Sequence, residues 1–362
     1  MRKYYLDNIR WITVVLVVIY HVIYMYNAEG ILGVLGKITD LEVQYYDAYQ
    51  YLVYPWFMFL LFIVSGICAR LYLERHTDRE FIRSRTTKLL VPSTVGVLAF
   101  QFVQGYLNMR LSNAYATIQN VPAPFIVLIT LASGIGVLWY IQVLWLFSLL
   151  LLPLRKLEKD RLWTLGARTS LPALLMMTAA VWGAAQIGNT PVICVYRFGY
   201  YALAFLSGYF VFSHEEVIGL LKRWFAPLLA AAAVLGVAFC VVFFGRIYAD
   251  APVNRTPLFT SYGWFASLAF LGGAAKHLDG TNRFASWMSR HSWGLYVFHY
   301  LGISAVAVFV GARHILPAAL VYALSLLTAF ALAFALYEII SRTPFFRWAV
   351  LGIRKERSGD VS

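Results

Sequence analysis

The chain has 362 residues, 61% of them hydrophobic and only 13% charged, and its mean hydropathy is +0.68. Soluble domains are nearer half apolar, so this composition excludes an ordinary soluble enzyme and points to a polytopic membrane protein. A net charge of +13 would suit a nucleic-acid binder, but the basic residues are dispersed over alternate loops, which excludes that reading.

The first apolar run, Trp11–Tyr26, follows Asp7 and Arg10 and contains His21. Arg10 and His21 are eleven residues apart, three helical turns, so they share a face and lie ~16 Å apart along the axis. With Arg10 at the membrane edge, His21 falls near mid-bilayer, where an ionisable side chain is costly and is a functional candidate by default. Asp7, three residues before Arg10, is placed to pair with it. No small-residue cleavage site follows the run, which reads as a retained first span.

Nine further runs follow: Tyr51–Ala69, Leu89–Tyr106, Val137–Leu154, Leu171–Ile187, Phe198–Phe212, Phe225–Phe244, Leu258–Ala275, Trp293–Val310 and Ile315–Leu336. Most approach the length needed to cross ~30 Å of hydrocarbon. The expected fold is therefore all-α, with about ten transmembrane helices in one domain over 1–362 and a polar tail from about 354. The short run Phe125–Ala132 is expected to be re-entrant or interfacial. Taking alternate connections from the N-terminus, 24 of the 30 Lys and Arg fall on one side. That bias places both termini in the cytoplasm of a cell-membrane protein. Cys68, Cys194 and Cys240 have no metal-like spacing and read as packing residues.

Within the second run, Ser65-Gly66 permits close helix approach. The loop before the third carries Arg83, Arg85 and Lys88, a cluster suited to phosphates and equally to anionic lipid. Trp139 and Tyr140 open the fourth run as an interfacial aromatic pair. His299, about 9 Å inside the ninth run by helical rise, is expected to line the same cavity as His21. Such a polar channel is open to two readings, a membrane enzyme or a proton-coupled transporter of a small anion or sugar, with His21 as base or as relay.

Together these segments resemble the acyltransferase 3 family of bacterial membrane O-acyltransferases. Leu6-Asp7 through Arg10 to His21 resembles its opening motif. Phe62 to Gly66 is similar to its second-span signature, and Phe81 to Pro92 to its basic loop, with Lys88 where a second arginine is usual. Leu138-Trp139-Tyr140 is similar to its Leu-Trp-Phe segment. Ser292 to His299 resembles its Leu-Tyr-x-x-His motif, and Glu338 with Pro344 the end of its last helix. The resemblance implies transfer of an acyl group, often acetyl, from cytoplasmic acyl-CoA to a hydroxyl of an envelope carbohydrate or exported metabolite. Acyl-CoA would be a donor substrate, with no permanently bound cofactor or metal. The implied site has His21 as general base or as a transient acyl carrier, with Arg10 held by Asp7 or Glu338. Arg83, Arg85 and Lys88 would hold the donor, and Trp139, Tyr140 and His299 would line the substrate path or support His21.

Overall fold

The computed structural model describes residues 2–31, 33–190 and 195–354. The main helices are α1 (Tyr4–Met25), α2 (Phe57–Leu73), α3 (Asp78–Leu111), α4 (Ala123–Ser133), α5 (Trp139–Glu158), α6 (Leu171–Ala184), α7 (Phe198–Phe210), α8 (Glu215–Arg223), α9 (Phe225–Phe243), α10 (Pro257–His277), α11 (Arg283–Phe309), α12 (Ala318–Arg342) and α13 (Pro344–Leu351). No strand occurs among the described residues. The all-α expectation holds.

Seven helical segments are long and apolar enough to cross a membrane among the described residues: Tyr4–Met25, Tyr45–Leu73, Asp78–Leu111, Gly136–Glu158, Phe225–Phe243, Arg283–Arg313 and Ala318–Arg342. Three of the ten apolar runs fold differently. Leu171–Ala184 and Phe198–Phe210 form helices of only 14 and 13 residues. Gly188, at a φ of +67°, turns the chain between them, and Asn189 bridges to Arg197. Pro257–His277 has the length, at 21 residues, but is rich in Ser, Thr, Tyr and Gly and is largely buried within the protein. The run Phe125–Ala132 lies in α4, an 11-residue helix, about 16 Å long and too short to span. Cys68 and Cys240 are half-buried free thiols, while Cys194 lies outside the described residues.

The chain forms two compact units. The first comprises 1–20, 44–81 and 146–290, and the second 21–43, 82–145 and 291–362. In the first, α2 and α7 cross at glycines. A Cβ on Gly66 would sit 2.0 Å from the Phe205 carbonyl oxygen, and one on Gly208 would sit 2.0 Å from that of Ile63. Backbone contact of this kind is how small residues pack helices in membranes. Gly66→Val should therefore force the helices apart. A loss of about 1–3 kcal/mol or more is expected, read as a lower unfolding temperature of the detergent-solubilised protein. An unchanged unfolding temperature would show that the close approach is dispensable.

In the second unit, α3 contains two π-helical stretches, Thr86–Leu90 and Val97–Gln101. Pro92 explains the first. It has no N–H to donate to the carbonyl of Lys88, and its ring crowds that turn. The Val91 amide reaches back to the Thr86 carbonyl instead. Ser93 and Thr94 return hydroxyl hydrogen bonds to the Leu89 and Leu90 carbonyls at 2.8 and 2.6 Å. Widened turns of this type are frequent at functional sites.

Candidate active site

His21 and His299 meet in the second unit. Small residues set α11 deep against α12: a Cβ on Gly302 would sit 2.8 Å from the Thr328 carbonyl oxygen, and one on Gly294 would strike the Tyr337 ring. His299 is consequently fully buried, while His21 is half-buried. Nε2 of His299 lies 3.0 Å from Nδ1 of His21. The other His299 nitrogen, Nδ1, lies 2.9 Å from the carbonyl oxygens of both Leu295 and Tyr296.

These contacts fix the proton positions of a neutral pair. Carbonyl oxygens only accept, so His299 Nδ1 carries a hydrogen and its Nε2 carries the lone pair. His21 must then donate from Nδ1, which leaves the lone pair of His21 on Nε2. The arrangement is an imidazole oriented by a second group that is itself oriented by the backbone, a geometry that can serve general-base chemistry with carbonyls at its far end. Tyr300 packs edge-on to the His21 ring at 5.1 Å between centroids, and Tyr24 does so at 6.0 Å. Both nitrogens of His299 are thus engaged within the protein, so its contact is with His21 itself.

A row of polar side chains lies on α3. Gln101 donates to the Val297 carbonyl at 3.2 Å. Gln104 donates to Ser304 Oγ at 2.9 Å and to Asn108 Oδ1 at 2.7 Å. Asn108 donates to the Ser133 carbonyl at 2.8 Å. Sequence reading missed these residues, although their spacing of three and four in an apolar run is that of one helical face. Tyr140 is buried, with its ring 6.1 Å from that of Tyr296, and Tyr296 donates to the Val137 carbonyl. Trp139 is half-buried beside Tyr140, at 6.3 Å between centroids.

In the first unit, Arg10 Nη1 pairs with Asp7 Oδ1 at 3.2 Å, and Arg10 Nη2 contacts Cys68 Sγ. Asp7 also receives Arg2 at 2.8 Å. The Asp7–Arg10 pair is the one expected from their spacing. Glu338, in the second unit, holds His291 at 3.3 Å and Arg342 at 3.4 Å. His291 was not singled out from the sequence. Its position eight residues before His299, two helical turns back, was the available signal.

The basic cluster sits where α3 passes from α to π geometry. Arg83 and Lys88 are exposed and Arg85 is half-buried. Lys88 lies within the π-helical stretch that Pro92 imposes, so the step from Arg85 to Lys88 is not the ordinary i,i+3 step of an α-helix.

No curated relative and no solved structure matches the chain. The sequence profile of the acyltransferase 3 family, described as an acyltransferase domain, matches residues 3–338 and so takes in both histidines, the Asp7–Arg10 pair, the basic cluster and Glu338. With nearly its whole length matched and several membrane-length apolar helices, the chain belongs to the acyltransferase 3 family and is a multi-pass membrane acyltransferase.

Proposed function

We propose that the protein transfers an acyl group, acetyl in the first instance, from cytoplasmic acyl-CoA to a hydroxyl of an envelope carbohydrate or exported metabolite. The observation that carries this reading is the His299–His21 hydrogen bond, which orients a base whose lone pair is on Nε2. The acceptor hydroxyl loses its proton to His21 Nε2 as its oxygen attacks the thioester carbonyl. The carbon–sulfur bond then breaks, and the departing CoA thiolate takes the proton from His21. An ester and free CoA result, and His21 returns to its starting state. His299 touches neither substrate and serves to hold the His21 ring and tautomer. Arg10, steadied by Asp7, balances negative charge on the donor, and Trp139 and Tyr140 border the substrate path. Family membership supports this reading over transport.

The charge bias supports an orientation in the cell membrane with both termini and the Arg70–Lys88 loop in the cytoplasm. Labelled acetyl-CoA supplied to sided membrane vesicles tests reaction and orientation together. Inside-out vesicles should pass label to glycan or metabolite, and right-side-out vesicles should not. Label retained on His21 would identify a covalent acyl-His intermediate in place of general-base catalysis. The absence of any His21-dependent transfer from acyl-CoA would overturn the proposal.

Arg83, Arg85 and Lys88 are proposed to bind the CoA phosphates. Alanine at each should weaken acyl-CoA binding and reduce its sensitivity to salt, because each removes a charge-assisted contact. Lys88→Arg should preserve activity. Alanine variants that bind CoA like the parent in a direct titration would move the donor site elsewhere.

A further inference from the structure

Arg197 is a buried cation without a counter-charge among the described residues. It occupies the N-terminal end of α7 and is 2% exposed. Its guanidinium lies over four rings, 4.8 Å from the centroid of Tyr200, 5.0 Å from Phe259, 5.1 Å from Tyr201 and 5.5 Å from Tyr54. Nη2 donates to the Tyr201 hydroxyl at 2.7 Å. Nε and Nη1 are buried and have no hydrogen-bond partner among the described residues, and no described carboxylate forms an ion pair with Arg197. Every residue of this cage belongs to the first unit.

Aromatic faces attract a guanidinium but accept none of its in-plane N–H bonds. Buried charges are otherwise found paired and hydrogen-bonded. The first amides of α7 are already taken, Phe198 N–H by the Gly188 carbonyl and Gly199 N–H by that of Ile187, so the donors that lack an acceptor are Nε and Nη1 of Arg197 itself. We propose that Arg197 receives the carboxylate group of a small organic acid. One fixed positive charge matches one negative charge, planar guanidinium donors suit a carboxylate, and the ring faces suit an apolar body. A phosphate dianion would bring more charge and need more donors than the cage offers. The site shares no residue with the histidine pair and stands whether or not the acyl-transfer proposal does.

Thermal unfolding of the purified protein in detergent tests this. The probes are sodium formate and sodium acetate, compared with sodium chloride at matched ionic strength. A ligand that binds only the folded state raises the unfolding temperature in a saturable way. Formate or acetate should give such a rise in the parent, chloride should not, and Arg197→Met should abolish it. Should that variant fail to fold, Tyr201→Phe keeps the charge and frees Nη2, and must retain the rise at equal or lower carboxylate concentration. The assignment is overturned by no saturable rise in the parent, an equal rise in Arg197→Met, an equal rise with chloride, or no rise in Tyr201→Phe.

Discussion

His21→Ala should abolish measurable acyl transfer while leaving expression and membrane insertion intact. A general base contributes on the order of 10²–10⁴ to rate, and the variant should lose at least that factor. Its half-buried ring occupies one side of a hydrogen bond to His299, so the alanine variant also removes the acceptor's only route of proton loss in the proposed scheme. The measurement is turnover of labelled acetyl-CoA at equal protein in membranes. CoA binding should be unaffected, since the basic cluster is retained. Near-parental turnover by His21→Ala would take His21 out of the chemistry.

His299 is proposed as a positioning residue, and two substitutions separate that role from simple packing. His299→Leu fills the space but presents no acceptor to Nδ1–H of His21. The ring then loses the bond that fixes its tautomer, and kcat should fall by about 10²-fold or more, the lower end of what a mis-set base costs, with little change in KM. His299→Gln offers a side-chain carbonyl oxygen and should restore part of the loss. Equal activity in the leucine and glutamine variants would reduce His299 to a packing residue.

The sequence by itself determined the solvent in which this protein folds. Its long apolar runs can satisfy their backbone groups in lipid only as helices, so the class of fold was legible without any long-range contact. The uneven distribution of Lys and Arg between alternate loops carries an expected orientation by the same local logic. His21 stood out because an ionisable ring in an apolar run has no cheap explanation, and Asp7 and Arg10 because a separation of three residues on a helix is itself a contact. Ser65-Gly66 announced a close crossing, although only the structure shows that the Phe205 backbone fills the space a side chain would need.

What tertiary structure decided lies beyond those local rules. His21 and His299 are separated by 278 residues, and nothing in either helix states that Nδ1 of one meets Nε2 of the other. Their proton positions follow from a chain of contacts ending on the Leu295 and Tyr296 carbonyls. The spacing of the basic cluster depends on a π-turn forced by Pro92, which helical periodicity cannot anticipate. Leu171–Ala184 and Phe198–Phe210 are shorter than the apolar runs that contain them because Gly188 turns the chain between them, and Pro257–His277 has the length but a more polar composition. Arg197, which nothing in its local sequence sets apart from the other basic residues, is a cation enclosed by four rings from three separate parts of the chain. Burial and pairing are properties of the folded neighbourhood, and that neighbourhood is what converts a residue type into a site.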